Sequence, residues 1–518
     1  MGLAGAAGSW VLAGLGTAAS LAIQLTQLGH VSLWGDEVFS VGLVAQPWSV
    51  FAHYLWGKHS SMTLYYLLLR EWLGLVAKLG LFPTELLVRL PSVLLAALSV
   101  GIVFLIGERF WSRTVGSVGA GLYLLNYLQL TEAGQARAYG MELFLISVAW
   151  YALLSAIATE RYQRRWLAGY VAAATLGLYA HLFSLLVILA QVVALGVLLA
   201  VPGPWRDRVQ RARRPISLAL GALGLLAIPI LVDAAIHGEN NAWVPAVTSR
   251  SLIHLLGSLS GRGAPYIVLI AGVCAAALLL PWRRRGSGPI GEQAAAGGPT
   301  LALLAWLAVP VFISYAATQP ALNLHLFFDR YLVVVVPPLC LLAGVGVSVL
   351  RPRAVQIAVA LILLLVALPA VPRYDADVQR QDFRTAYHWI GSQYQRQDGL
   401  VCVVVACSLA MDYYQRAYPG SVDFGTDYPG ERSWRGGYAT PVDPGSLALY
   451  AQRHPRIFFV RAAVTLDFPS VPFQEQAVQD WLDEHDQLLA DTVARGAYGS
   501  VEVRLYASAA QDATPATS

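Results

Sequence analysis

Charged side chains are scarce in this 518-residue chain, at 13% where a soluble domain usually carries ~25%. With 57% hydrophobic residues and a mean hydropathy of +0.55, the chain lacks the polar surface to cover a water-soluble globule. That excludes an ordinary cytosolic enzyme and makes the protein an integral membrane protein. Cysteine is nearly absent: four residues are too few for a disulfide framework. Cys274 and Cys340 lie in apolar runs and read as small hydrophobes. Cys402 and Cys407, an odd number of residues apart in VCVVVAC, fall on opposite faces of a strand. No disulfide is expected. The chain also lacks an internal repeat, G-x-G-x-x-G, a P-loop and C-x-x-C, and nothing in it suggests a nucleic-acid partner. Without a basic n-region or a small-residue cleavage site, the first apolar run is expected to stay as a transmembrane helix.

Long apolar runs are what the chain has in abundance. Runs able to span a bilayer, which takes roughly 17–25 residues, occur near 9–28, 91–107, 140–158, 182–201, 216–236, 264–281, 300–317, 331–350 and 354–371. Weaker candidates lie at 62–79, 115–130 and 167–180. Arginine placement decides among them, because basic loops favour the cytoplasmic side. Loops 108–114, 159–166, 202–215, 282–299 and 351–353 hold 15 arginines in 50 residues, whereas the alternate segments hold 8 basic residues in 112. Parity then requires 167–201 to cross twice with a turn near His181. It also forbids 62–79 from crossing, so that stretch lies on or dips into the membrane within a first external loop over 29–90. The expectation is a polytopic α-helical membrane protein with about 11 transmembrane helices, N-terminus cytoplasmic, and a C-terminal extracytoplasmic α/β domain.

The boundary follows from charge. Residues 1–371 hold 13 of the 31 acidic residues and 372–518 hold the other 18, which separates a membrane region from a soluble tail. In the tail, QDFRTAYHWIGSQYQ has helical periodicity and LVCVVVA reads as a buried strand. LALYAQRHPRIFFVRA repeats the helix-then-strand order, as does AVQDWLDEHDQLLADT followed by SVEVRLYAS. This alternation predicts a small, mostly parallel sheet with helical cover.

Candidate chemistry gathers on the expected outer face. Asp36 and Glu37, in HVSLWGDEVFS just past the first helix, are costly beside a membrane unless they face water or a polar cavity. Such a pair suits a general base and is also a candidate ligand set for a divalent metal. The same loop carries Lys58 and His59 ahead of an aromatic amphipathic stretch. The next external turn, NYLQLTEAGQARAYGME, holds Glu132, Arg137, Tyr139 and Glu142. An external arginine there runs against the charge bias and is suited to phosphate. Arg330 in LHLFFDRYLVVVVPP and His181 in LYAHLFSLL complete the set. Acid, base and phosphate-binding groups on one face suit transfer from a lipid-linked phosphate donor.

Six segments, LWGDEVFSV at 33–41, LYYLLLREWLGL at 64–75, RLPSVLLAALSVGIVFLIGERFW at 89–111, QARAYGMELFL at 135–145, LYAHLFSLLVILAQ at 178–191 and FDRYLVVVVPPL at 328–339, carry a resemblance in their order and spacing. The chain resembles the polytopic GT-C glycosyltransferases of the family-39 type, related to protein O-mannosyltransferases and lipid A aminoarabinose transferases. The resemblance implies an inverting transferase that moves a sugar from a polyprenyl-phosphate donor to an acceptor that is a protein, lipid or polysaccharide. It implies Asp36, with Glu37, as the catalytic pair, and Arg137 and Arg330 as contacts to the donor phosphate; Lys58, a cation on the same outer face, is a further candidate contact to that phosphate. Where relatives read His-Pro-Pro-Leu-Tyr-Tyr this chain has HSSMTLYY, and where many read Glu-Ala-Arg it has Gln135-Ala136-Arg137. Rival readings are a flippase for lipid-linked sugars, against which stands the lack of an internal repeat, and a non-catalytic GT-C-like scaffold.

Overall fold

The computed structural model describes residues 3–57, 60–238, 244–261, 263–283, 290–425, 427–428, 442–464 and 470–508. It forms two compact units. One comprises Met1–Thr26, Ala52–Leu69 and Arg89–Tyr374; the other comprises Gln27–Phe51, Arg70–Val88 and Asp375–Ser518.

Among the described residues seven helices are long and apolar enough to cross a membrane: Ala7–Thr26, Glu85–Phe110, Tyr139–Ala158, Pro204–His237, Gly297–Ala317, Tyr331–Ser348 and Arg353–Asp377. Two shorter apolar helices, Ser184–Ala200 and Pro265–Leu279, stand where two further spans are expected. The remaining two expected spans are helical but less apolar or broken. Gln163–Ala180 is one continuous helix. The run at 115–130 is split into Arg113–Leu124 and Tyr127–Ala133. The split has a local cause: the Asn126 carboxamide oxygen accepts from Gln129 N at 3.2 Å, starting a new helix, while its Nδ2 donates to Leu259 O at 2.7 Å. The stretch 62–79 folds as the helix Thr63–Lys78, which is not among the spans.

Packing in the first unit relies on large aromatics and on glycines. Trp150 and Trp306, both buried, stack with ring centroids 5.1 Å apart. Gly107 and Gly116 bring two helices together so closely that a Cβ on Gly107 would lie 2.6 Å from the Gly116 Cα. Small residues are what permit such backbone approach where lipid supplies no hydrophobic drive between helices.

The second unit contains a four-stranded sheet of order β1-β2-β4-β3, with β1 Gly399–Val401, β2 Arg456–Val464, β3 Asp486–Arg495 and β4 Gly499–Ser508. Only β1 and β2 run parallel; β2–β4 and β3–β4 are antiparallel. This corrects the mostly parallel sheet expected from the sequence. The segment DQLLADTVAR is strand rather than the end of a helix, since the helix Ser470–His485 stops just before it. Residues 496–498 then turn directly into β4, and so short a connection can join only antiparallel neighbours. Helices do pack against β2. Trp389 of the helix Phe383–Gln393 meets Phe458 edge-on at 6.2 Å, and Val478 and Leu482 pack with Ile457 and Phe459.

Cys402 and Cys407 form a disulfide, with Cα atoms 5.7 Å apart, correcting the expectation of none. The strand ends at Val401 and the helix Val405–Ala417 begins at once, so the alternation of strand faces does not apply across the pair. The turn between strand and helix folds the two residues back to bridging distance.

One buried carboxylate gives this unit a pH signature. Glu475 is 1% exposed and accepts from the Ala462 amide at 3.1 Å. Burial pushes its carboxyl up from 4.5 to about 7; the Ala462 hydrogen bond and Arg461, 3.9 Å away, offset only part of that. The native state therefore holds the proton more tightly than the unfolded chain. Stability is lost as pH rises from 4.5 towards 7, by at most about 1.4 kcal/mol per pH unit from this group. The unfolding midpoint of the full-length protein should fall over that window, and Glu475→Gln, which keeps the acceptor oxygen, should flatten the slope. An unchanged slope in the variant would refute the assignment.

Candidate active site

Asp36 lies in the first turn of the helix Gly35–Val44. Although adjacent in sequence, Asp36 and Glu37 differ in setting. Glu37 is fully buried and its Oε2 accepts from Trp34 N at 3.4 Å, closing the start of its own helix, while Asp36 is only partly buried. Both carboxylates benefit from the positive end of the helix dipole. The far end of the helix is held as well. Arg70 Nη1 donates to Val44 O at 2.6 Å and to Gln46 O at 2.7 Å, and its guanidinium lies 4.8 Å over the Phe51 ring.

Arg137, Tyr139 and His181 come together in the first unit. Arg137 Nη1 is 3.4 Å from the Tyr66 hydroxyl. Its carbonyl accepts from Ser92 Oγ at 3.1 Å, and Ser92 Oγ also lies 2.9 Å from the Tyr65 hydroxyl. His181 sits between Tyr139 and Tyr331, with ring centroids at 5.4 and 5.7 Å. Burial and the charge of Arg137 push its imidazole down to about 3, so the ring is neutral and its Nδ1 accepts from Phe183 N at 3.2 Å. The 3.7 Å approach of Nδ1 to Glu142 Oε2 is accordingly not an ion pair. Glu142 is itself buried and its Oε1 accepts from Ser184 Oγ at 2.9 Å. Glu132 accepts from Gln135 Nε2 at 2.9 Å, which ties the departed position of the Gln-Ala-Arg sequence back to an acidic partner.

The turn that carries Arg137 is built on a tight approach. A Cβ on Gly140 would lie 2.5 Å from Ser92 O and 2.6 Å from Ala133 O, both rigid backbone atoms. Gly140→Ala is expected to cost about 1–3 kcal/mol through overpacking, read as a lowered midpoint of thermal unfolding. A wild-type midpoint would show that the two backbones do not approach this closely.

Arg330 has a different setting from Arg137. Its guanidinium lies 4.9 Å over the Phe328 ring. Its neighbour Asp329 takes the His254 imidazole at 2.8 Å and the Ser258 hydroxyl. Lys58 and His59 lie outside the described residues. Among the described residues no group of three or more His, Cys, Asp or Glu side chains could hold a metal ion, and the Glu37 carboxylate is engaged with the Trp34 amide.

Several residues of this environment carried no signal in the sequence. Tyr66, Ser92, Ser184 and Tyr331 look like ordinary members of apolar helices until the chain folds. Gln379, Gln381 and Tyr414 of the tail contact the backbone just before Asp36, where their acceptors take Ser32 N, Gly35 N and Leu33 N, each at 3.0 Å.

No family model and no curated protein matches the sequence. Solved structures do match. The apo aminoarabinose transferase ArnT from Cupriavidus metallidurans superposes with a TM-score of 0.60 at 15% identity, over 96% of this chain and 98% of that one. Its complex with undecaprenyl phosphate gives 0.53 at 15% identity, over 94% and 97%. The oligosaccharyltransferase AglB from Archaeoglobus fulgidus, in complex with an inhibitory peptide and a dolichol-phosphate, gives 0.54 at 11% identity, over 87% of this chain and 69% of that one. Likeness at such low identity is a likeness of fold, and the chain shares the fold of these ArnT and AglB structures.

Proposed function

We propose that the protein is an inverting glycosyltransferase that moves a sugar from a polyprenyl-phosphate donor to an acceptor hydroxyl on the extracytoplasmic face of the membrane. The observation that carries this reading is the superposition over 94% of the chain on a transferase structure bound to undecaprenyl phosphate. In the proposed step the Asp36 carboxylate takes the acceptor proton as the acceptor oxygen attacks the anomeric carbon. The bond from that carbon to the phosphate oxygen breaks, and polyprenyl phosphate leaves with the electron pair. Arg137 meets the charge that develops on the phosphate, the usual work of a fixed cation, with Arg330 and Lys58 as further phosphate contacts. No step is routed through a metal.

Orientation belongs to the same reading, with 1–371 as the catalytic membrane region and 372–518 as the extracytoplasmic one. The arginine-rich loops favour a cytoplasmic N-terminus. The Cys402–Cys407 disulfide favours an oxidising compartment for the tail. The test is release of polyprenyl phosphate from a panel of polyprenyl-phosphate sugars by purified protein supplied with crude membrane acceptors. Release supports the transferase; silence across the panel, with divalent metal also supplied, overturns it in favour of a transporter or scaffold.

A further inference from the structure

The four amides that lead into the Asp36 turn are accounted for one by one. Trp34 N is taken by Glu37 of the same helix. The other three are taken by side chains of the tail: Ser32 N by Gln379 Oε1, Leu33 N by the Tyr414 hydroxyl and Gly35 N by Gln381 Oε1, each at 3.0 Å. These acceptors stand 346 to 381 residues further along the chain. They are themselves fixed. Gln379 Nε2 donates to Gln381 O at 2.7 Å, and Gln381 and Tyr414 are buried. The Tyr414 hydroxyl also lies 2.8 Å from Ser32 Oγ, which in turn accepts from Arg384 N at 3.1 Å. Between the two glutamines, Arg380 stacks its guanidinium 4.7 Å over the Trp34 ring. A Cβ on Gly35 would meet Gln381 Oε1 at 3.1 Å and Ala406 at 3.4 Å, so the turn is seated closely on the tail.

Buried amides outside regular structure need partners, and here the partners come from one short segment, QRQDFR, and one helix residue. We infer that Gln379, Gln381 and Tyr414 are positioning residues that set the direction of the Asp36 carboxylate, making the tail a working part of the catalytic apparatus. The inference deepens the transferase reading and rests on it. The physical requirement is placement: a general base misplaced by about 1 Å loses on the order of 100-fold in rate.

Full-length protein in detergent carrying Gln381→Met, which removes the acceptor at similar volume, and Tyr414→Phe, which removes only the hydroxyl, tests this in two ways. Deuterium uptake over 30–38 is expected to rise in both variants. Their kcat for polyprenyl phosphate release is expected to fall about 10- to 100-fold with the KM for the donor nearly unchanged. Gln381→Glu, which keeps an acceptor oxygen for Gly35 N, should recover most of the rate. Unchanged uptake would overturn the fastening, and raised uptake with wild-type kcat would overturn its role in placing Asp36. Should the wild-type protein release no polyprenyl phosphate at all, the transferase reading falls, while uptake alone still decides whether the tail holds this turn.

Discussion

Asp36→Asn is expected to reduce polyprenyl phosphate release by about 10²–10⁴-fold, the range that a positioned general base supplies. The substitution keeps size and hydrogen-bonding capacity at the first turn of the Gly35–Val44 helix but cannot accept the acceptor proton. Donor binding should be little affected, since the phosphate contacts are assigned elsewhere, so the loss belongs in kcat. Glu37→Gln provides the contrast. Glu37 is buried and accepts from Trp34 N, a bond that a carboxamide oxygen can also accept, so its loss should be far smaller. Equal losses in the two variants would assign the base to the pair, or to Glu37, and sink the role given to Asp36.

Arg137→Met is expected to lower kcat/KM for the donor by about 10²–10³-fold, as removal of one fixed donor from a developing oxyanion does. Arg137→Lys should recover only part of this, because an ammonium cannot reproduce a planar fork of donors at a phosphate. The site favours this outcome by the way it holds the residue. The Arg137 carbonyl is fastened by Ser92 and its guanidinium reaches the Tyr66 hydroxyl. The neighbouring His181 is neutral and adds no competing charge. A Lys variant with the wild-type rate, or a Met variant that binds and turns over the donor normally, would remove Arg137 from the phosphate site.

Much of the membrane region was legible because lipid imposes a simple rule. A span must satisfy its backbone internally and stay apolar for about 20 residues, so the runs at 91–107 and 140–158 read directly as spans. The helices Glu85–Phe110 and Tyr139–Ala158 lie over them. Asn126 shows where that rule fails, since its side chain starts a new helix inside an apolar stretch. The Asp36, Arg137 and His181 positions were legible as polar groups in costly places. The tail was harder. DQLLADTVAR has no strong period of its own, and pairing with β4 decides that it is a strand. The Cys402–Cys407 bridge depends on a strand ending at Val401, a boundary that local pattern does not set.

Hydropathy and charge alone make this chain a multi-helix membrane protein with a polar tail, and they mark the carboxylates and arginines that stand out against apolar surroundings. They suffice for this because both act locally, residue by residue. Folding was needed to show that Glu37 closes the start of its helix, and that Gln379, Gln381 and Tyr414 serve the backbone ahead of Asp36. Those last assignments depend on hydrogen bonds between groups 346 to 381 residues apart. A glutamine in a polar tail looks the same in sequence whether it faces water or takes a buried amide beside a carboxylate.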